Sequence, residues 1–138
     1  MTSEHGITVS LAANFGHLDI TDEVTRWVRD SGVRTGSLTL QAVGSTGGLT
    51  TIEYEPGALA DLRRSFDMLA PVDAHYEHNA RWGDGNGFSH VRSALLKTSL
   101  SLPIIDGRLQ LGTWQQIVVI SFDNRARDRE VVGVVVGE

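Results

Sequence analysis

Asp106-Gly107, set between two runs of strand-forming residues, is the feature that most limits how this chain can fold. Both positions tolerate positive φ, so the pair predicts a tight hairpin joining strands at 99–104 and 108–111. Further strands are predicted at 114–122 and 130–136, with a turn at Asp123-Asn124 between them. Strands joined as hairpins form antiparallel sheet, which disfavours a parallel α/β architecture.

The first half of the chain mixes strands with helices. Alternating apolar residues predict strands at 7–11, 38–42 and 49–54. Two helices are predicted, one starting at Thr21 and ending at Gly32, the other starting at Pro56 and ending before Pro71. Residues 72–88 are predicted to be irregular, and Ser89 is predicted to cap a short third helix. The expected class is α+β: one domain over 1–138, mostly antiparallel, with two to three flanking helices.

Composition excludes several classes of function. The chain has 17 acidic and 12 basic residues, a net charge of −5, which argues against nucleic acid or an anionic membrane as a partner. It has no cysteine, so any metal would need histidine and carboxylate ligands. The longest aliphatic run, 117–120, is too short to span a bilayer, and residues 1–5 carry no basic leader. We expect a soluble, cytoplasmic protein.

The segment 82–90 is predicted to form a site. Three glycines alternate with side chains there, so the backbone can approach a ligand, while Asp84, Asn86 and His90 supply polar groups. The alternative is a solvated Asx/glycine turn that leads into a helix.

His78 and His90 are the best catalytic candidates, because imidazole can serve as acid, base or metal ligand near neutral pH. They lie twelve positions apart, without the i, i+4 spacing of a helical metal motif. A site pair, one functional histidine and two structural histidines all stay open. His5, His17 and His75 are predicted to be surface residues.

The segment 44–48 is the second glycine-rich loop, and it offers Ser45 and Thr46 to a phosphate. It connects two strands and so lacks the following helix of a P-loop, although a backbone nest is possible. Arg108 could clamp a phosphate or form a hairpin salt bridge with Asp106. Trp114 could stack on a heteroaromatic ring or belong to the core.

Two acidic positions need separate interpretation. Glu53 and Glu55 lie at the end of a predicted strand, and only one of them is expected to face a site. Glu55 could instead cap the second helix. Asp61 lies off the apolar stripe of that helix and could be solvated surface.

Three segments in order, 44–57, 82–90 and 107–116, closely resemble the YjbQ-like family. The resemblance implies a β-sandwich with flanking helices that assembles as a homotrimer. It also implies secondary thiamine-phosphate synthase activity, in which a pyrimidine diphosphate condenses with a thiazole phosphate and pyrophosphate is released. The positions that match the family's motifs are Glu53, Asp61, His78, Asp84, Asn86, His90, Arg108, Gly112, Trp114 and Gln115.

The chain departs from the family at three positions. Phe88 and Gly44 stand where relatives carry histidine, which weakens a metal site that needs a third imidazole, and Lys97 replaces a frequent glycine. In an extended loop, positions 88 and 90 would point the same way, so Phe88 is predicted to border the pocket of His90.

The function these observations favour is a phosphate-handling enzyme with thiamine-phosphate-synthase-like activity on a small phosphorylated molecule. The predicted catalytic residues are His78, His90 and Glu53, and the two histidines could also hold a divalent Mg or Zn ion. The predicted substrate-binding residues are Ser45, Thr46, Asp84, Asn86, Arg108, Trp114 and Gln115.

Two alternatives remain. One is a non-catalytic trimer that binds a metal or small molecule, and the other is a purely structural interaction protein. In each case the aliphatic run 131–136 predicts that a neighbouring subunit covers part of this strand.

Overall fold

The computed structural model describes residues 1–138 as two antiparallel sheets and four helices. The strands are β1 (Thr2–Leu11), β2 (Gly16–Asp19), β3 (Gly36–Val43), β4 (Gly47–Ile52), β5 (Ser99–Ile105), β6 (Arg108–Leu109), β7 (Gln116–Ser121) and β8 (Arg127–Gly137). The helices are α1 (Thr21–Ser31), α2 (Pro56–Leu69), α3 (Glu77–Trp82) and α4 (Gly87–Leu96). One sheet has the order β1-β8-β3-β5-β6 and the other β2-β7-β4. The mixed α+β class and the antiparallel pairing are confirmed.

The predicted hairpin joins β5 to β6. Asp106 has φ 52° and Gly107 has φ 73°, as the sequence of this turn requires. Ile105 pairs with Arg108 directly across it. Gly32, with φ 72°, ends α1 where predicted.

Both sheets and α1 share the larger hydrophobic core of 17 buried residues. Leu38 and Leu40 of β3 and Val131 of β8 lie in this core together with Ile117 of β7, and the alternate residues of β3 and β8 point away from it. A smaller cluster under α2 contains Phe66, Phe122 and their neighbours on the other side of β7. The three-stranded sheet is therefore covered on both faces, which accounts for the unbroken burial of β7 from Ile117 to Ser121.

The five-stranded sheet has an outer face that no helix of the chain covers. Val134 and Val136 of β8 are 37% and 47% exposed there. Their partners across β3 are Thr39 and Ser37, so the face is built of small side chains. Within one chain, the aliphatic run of β8 is covered on one face only.

Three sequence-based boundaries were wrong. Residues 72–88 contain α3, a six-residue helix that ends at Gly83 in the left-handed conformation, with φ 66°. The third predicted helix begins at Gly87, so Ser89 lies inside its first turn and does not cap it. The strand predicted at 114–122 starts only at Gln116 and leaves Trp114 73% exposed, outside the core. No helix has the length and apolar content to cross a bilayer.

Candidate functional site

His78 of α3 and His90 of α4 come together as one pair. Their ring centroids lie 4.4 Å apart, with the planes inclined by 44°. The short connection 83–86 folds α4 back against α3 and so brings the two imidazoles into contact. The two histidines are neighbours in the fold, and which of the three functional arrangements applies stays a prediction.

His78 has a nitrogen atom with unused bonding capacity. Its Nδ1 is shielded from solvent and lies 3.3 Å from a carboxylate oxygen of Asp84, but the two groups are not aligned as a hydrogen bond. Asp84 instead accepts from the backbone N–H of Asn86 at 3.1 Å. Because buried polar atoms are nearly always satisfied, an unpaired one beside a second imidazole marks a place for a ligand or ion.

Asn86, in contrast, is fully occupied by the fold. Its Oδ1 accepts from the hydroxyl of Ser89 at 2.7 Å and from the backbone N–H of Asn124 at 3.1 Å. Its Nδ2 donates to Asp123 at 3.3 Å. Asn86 is 6% exposed, so its side chain holds the 83–86 connection in place rather than facing a substrate.

Asp123 is the centre of this buried network. Its carboxylate accepts from Thr46 at 2.9 Å and from the backbone N–H of Arg125 at 3.0 Å, and Arg127 lies 3.2 Å away. Burial by itself would raise the pKa of Asp123, but the hydrogen bonds from Thr46, Arg125 and Asn86 and the charge of Arg127 together bring the pKa below its ordinary value. The carboxylate is ionised at neutral pH.

Arg129 joins the same network from β8. Its guanidinium donates to Ser121 and to the hydroxyl of Thr46, and it lies 3.9 Å from Asp123. Desolvation lowers the pKa of Arg129 and the charge of Asp123 opposes that change. Thr46, predicted to bind substrate, is thus a buried partner of two charged groups.

An open cavity of about 460 Å³ adjoins His90. It is lined by Gly44, Ser45, His90, Ser93, Ala94, Lys97 and Thr98. The Ser45 hydroxyl forms no hydrogen bond within the chain, and the backbone N–H groups of residues 44–46 donate to no other group. Free amides in succession are the elements of an anion-binding nest.

Lys97 follows α4 in a backbone conformation that is essentially restricted to glycine. Its φ is 81° and its ψ 154°, which costs a lysine about 1–3 kcal/mol. The surrounding sheet enforces this geometry: the Lys97 N–H donates to Ser93, and its carbonyl accepts from Leu49 of β4. A change of φ or ψ at residue 97 would disturb these two hydrogen bonds at the junction between α4 and β5.

Phe88 does not border the pocket, so that prediction was wrong. It lies in α4, where residues two positions apart point about 200° away from each other, rather than in an extended loop. Phe88 is fully buried beneath the guanidinium of Arg92, 5.1 Å from the ring centroid, while His90 is partly exposed. The absence of an imidazole at 88 therefore removes no group from this cavity.

The remaining predicted site residues lie at the opposite ends of the strands. β4 starts at the 44–46 loop and Glu53 follows its far end, while Arg108 pairs with the last residue of β5. Strands of this length separate their ends by roughly 15–20 Å. Trp114 and Gln115 precede β7 near that same far end of β4, and Gln115 bonds to Thr51 at 3.1 Å.

Several acidic side chains have ordinary structural partners. Glu55 accepts from the N–H groups of Gly57 and Ala58 at 2.7 Å each and caps α2, as predicted. Asp61 forms an exposed ion pair with Arg64 at 2.6 Å. Asp106 lies 3.9 Å from Arg34 and not in a salt bridge with Arg108.

A second cavity, of about 490 Å³, lies under the start of α2, away from the histidine pair. Phe15, Tyr54 and Arg63 line it together with His17, whose Nδ1 lies 2.9 Å from the Tyr54 hydroxyl. Burial lowers the pKa of His17, so this predicted surface histidine is partly enclosed.

Sequence reasoning missed the parts played by Asp123, Arg129 and Lys97. Asp123 was assigned to a turn, and Arg129, which is only 7% exposed, was given no part in the site. The sequence held a signal for Lys97 alone, because this chain has lysine at a position where the family frequently has glycine.

These features define a small mixed α+β protein with a histidine pair, one member of which lines an open cavity. The family described as "UPF0047 protein YjbQ-like" matches residues 5–138, and the chain belongs to that family.

Relatives and solved structures agree with this membership. A UPF0047 protein of Methanothermobacter thermautotrophicus is 38% identical over 117 residues, 85% of this chain and 80% of its own. The UPF0047 protein YjbQ of Salmonella typhimurium is 37% identical over the whole of both chains. A YbjQ-like protein of unknown function from Sulfolobus solfataricus has a TM-score of 0.94 at 28% identity, covering 100% of this chain and 99% of that one. The family membership predicted from three sequence segments is confirmed.

Proposed function

We propose that the cavity beside His90 binds the phosphate group of a small phosphorylated substrate, and that the protein is a transferase with thiamine-phosphate-synthase-like activity. The observation that carries the proposal is the meeting of a histidine pair with a loop whose Ser45 hydroxyl and three backbone amides have no partner in the chain. Such donors match the oxygens of a phosphate or diphosphate.

The chemistry proposed is displacement of pyrophosphate by a ring nitrogen. The nitrogen of the thiazole phosphate forms a bond to the methylene carbon of the pyrimidine diphosphate, and the carbon–oxygen bond breaks with its electron pair leaving on pyrophosphate. This step needs stabilisation of the departing negative charge more than a covalent intermediate. In this proposal, amides of the 44–46 loop and the imidazole of His90 provide it.

His78 acts in this proposal by holding or moving a proton next to His90. Its Nδ1 lies 3.3 Å from a carboxylate oxygen of Asp84, which can orient the imidazole next to His90. Asp84 is thereby a positioning residue rather than a direct phosphate ligand.

A divalent Mg or Zn ion is proposed as an additional participant. Within one chain, no three side chains of His, Asp or Glu converge as a metal site. In the metal-bound form, the neutral imidazoles of His78 and His90 would supply two ligands in place of the proton-holding role of His78, and substrate phosphate oxygens the others. The ion would neutralise charge on the leaving group.

Assembly as a homotrimer completes the proposal. The outer face of the five-stranded sheet carries exposed Val134 and Val136 among small residues, which suits a neighbouring subunit. Glu53, Arg108 and Trp114 lie too far along the strands to meet His90 of their own chain. Their predicted contribution to the site requires a second subunit.

The test is formation of thiamine phosphate from the pyrimidine diphosphate and thiazole phosphate by purified protein with magnesium. We expect turnover that falls by about 100-fold or more in His90→Ala and is unchanged in the matched control His75→Ala, whose side chain is exposed and pairs only with Glu77. Turnover no higher than that of His90→Ala would remove this activity.

The alternative, a non-catalytic metal- or small-molecule-binding trimer, is supported by the same histidine pair. It predicts that pyrophosphate or zinc binds, measured by calorimetry, without turnover. Binding that persists when His78 and His90 are both replaced by alanine would place the ligand elsewhere.

A further inference from the structure

We propose that Lys97 is the cationic anchor for the substrate phosphate in the cavity beside His90. This inference rests on the proposed phosphate site and adds a residue that gives that site its charge. Lys97 is the only lysine in the chain, whose other basic side chains, histidine apart, are all arginine. It lines the same cavity as Ser45 and His90.

The position of Lys97 is unfavourable for folding, which points to another reason for a side chain there. Its φ of 81° with ψ 154° is a conformation that glycine adopts freely. The backbone is fixed from both sides, because Leu49 donates to the Lys97 carbonyl and Ala42 donates to that of Thr98. Glycine would satisfy all of these bonds without strain, so the fold gains nothing from lysine.

Charge explains what the lysine adds. Lys97 is the one lining residue with a permanent charge; the others are glycine, alanine, serine, threonine and His90. The protein as a whole has a charge of −5, which repels a phosphorylated ligand. Arg129 is a second cation close to the loop: its Nη1 would lie 3.1 Å from a Cβ on Gly44, but it is buried and lies 3.9 Å from Asp123. An exposed ammonium at 97 can move to meet the phosphate.

Two substitutions separate charge from backbone strain. Lys97→Gln removes the charge and keeps the strain, so pyrophosphate affinity should fall about tenfold or more with an unchanged melting temperature. Lys97→Gly removes both, so affinity should fall equally while the melting temperature rises by about 3 °C or more. Lys97→Arg should keep affinity within about threefold, since it retains the cation. Arg26→Ala, which removes one exposed charge from α1, is the matched control and should bind normally.

The single lysine also allows a direct spectroscopic measurement. Reductive ¹³C-dimethylation keeps the positive charge and labels Lys97 and the α-amine alone, and the Lys97 signal is the one missing from labelled Lys97→Gly. On addition of pyrophosphate that signal should shift saturably, with the dissociation constant that calorimetry gives. The signal of the α-amine should stay in place.

The outcomes distinguish this inference from the proposed function. Normal pyrophosphate binding by Lys97→Gln, together with loss of binding in His90→Ala, would overturn the role of the lysine and leave the phosphate site standing. Failure of the unsubstituted protein to bind pyrophosphate would overturn both. A melting temperature that falls in Lys97→Gly would show that the lysine side chain stabilises the fold and would overturn the argument from strain.

Discussion

Two polar clusters lie side by side under the 83–86 connection, and they differ in whether their hydrogen bonds are complete. Around Asp123, the carboxylate accepts from Thr46 and Asn86 in the interior, and the Thr46 hydroxyl accepts in turn from Arg129. In the histidine pair, the Nδ1 of His78 is shielded yet unpaired. The hydrogen bonds of the cluster around Asp123 are made within the chain, and those of the histidine pair are incomplete.

The contrast shows that polarity in a glycine-rich segment does not by itself identify a site. Asn86 and Thr46 come from the two glycine-rich loops and were predicted to bind substrate, but both serve the first cluster. Satisfied groups position the loops, and unsatisfied groups are available for chemistry. The first cluster should therefore govern stability, and the second binding.

The largest expected effect is that of Asp123→Ala on stability. The substitution leaves Arg129, 7% exposed, without its buried counter-charge and frees the hydrogen bonds of Thr46 and Asn86. We expect the free energy of unfolding to fall by about 3–5 kcal/mol in urea denaturation. The exposed carboxylate Asp73 supplies the control, because Asp73→Asn should change it by less than about 0.5 kcal/mol. A loss below about 1 kcal/mol for Asp123→Ala would contradict the conclusion that the cluster around Asp123 governs stability.

The next largest effect on stability is expected for Phe88→His. A polar ring would replace a fully buried phenyl ring beneath Arg92, at a cost of about 2–4 kcal/mol in unfolding free energy. Because position 88 faces away from His90, zinc affinity measured by calorimetry should not change. Tighter zinc binding by a folded Phe88→His protein would show that the orientation of α4 described above is wrong.

His78→Ala is expected to weaken binding and leave stability nearly unchanged, which is the reverse of Asp123→Ala and Phe88→His. The imidazole forms no hydrogen bond in the chain, and its 3.3 Å contact with Asp84 is partly exposed and worth less than about 1 kcal/mol. Stability should hardly change, while affinity for pyrophosphate falls by about tenfold. His5→Ala is a useful comparison, since His5 stacks on Trp27 at 5.2 Å and its loss should lower stability without affecting binding. Equal loss of stability in the two variants would make His78 structural.

The sequence predicted the parts of the fold that short-range chemistry determines. Asp106-Gly107 specified its hairpin, and Gly32 ended α1, because each turn depends on the φ angles of one or two residues. Helix α3 was missed because it has six residues and buries none of them, so it leaves no apolar stripe to detect.

The candidate site was predictable in its residue types and less so in its geometry. Residues His78 and His90 were named from their chemistry, and only the fold shows that they touch. The assignment of Asn86 depends on Asp123, 37 positions along the chain, and no local pattern carries that pairing. Strain at Lys97 arises from bonds to two other strands and is equally invisible in the sequence.

The smallest predicted effect is a change in the pH dependence of stability, and it tests the cluster around Asp123. The pKa of Asp123 is lower in the folded protein than in the unfolded chain, where it is about 4. Its contribution to stability is therefore complete above that unfolded value and is lost as the pH falls through the folded-state pKa. Urea denaturation between pH 2.5 and pH 7 should show this loss in the unsubstituted protein and a shallower acid limb in Asp123→Asn. In Asp73→Asn, the free energy of unfolding should fall with decreasing pH as steeply as in the unsubstituted protein. If Asp123→Asn also keeps that slope, the buried network does not hold the carboxylate in its charged form.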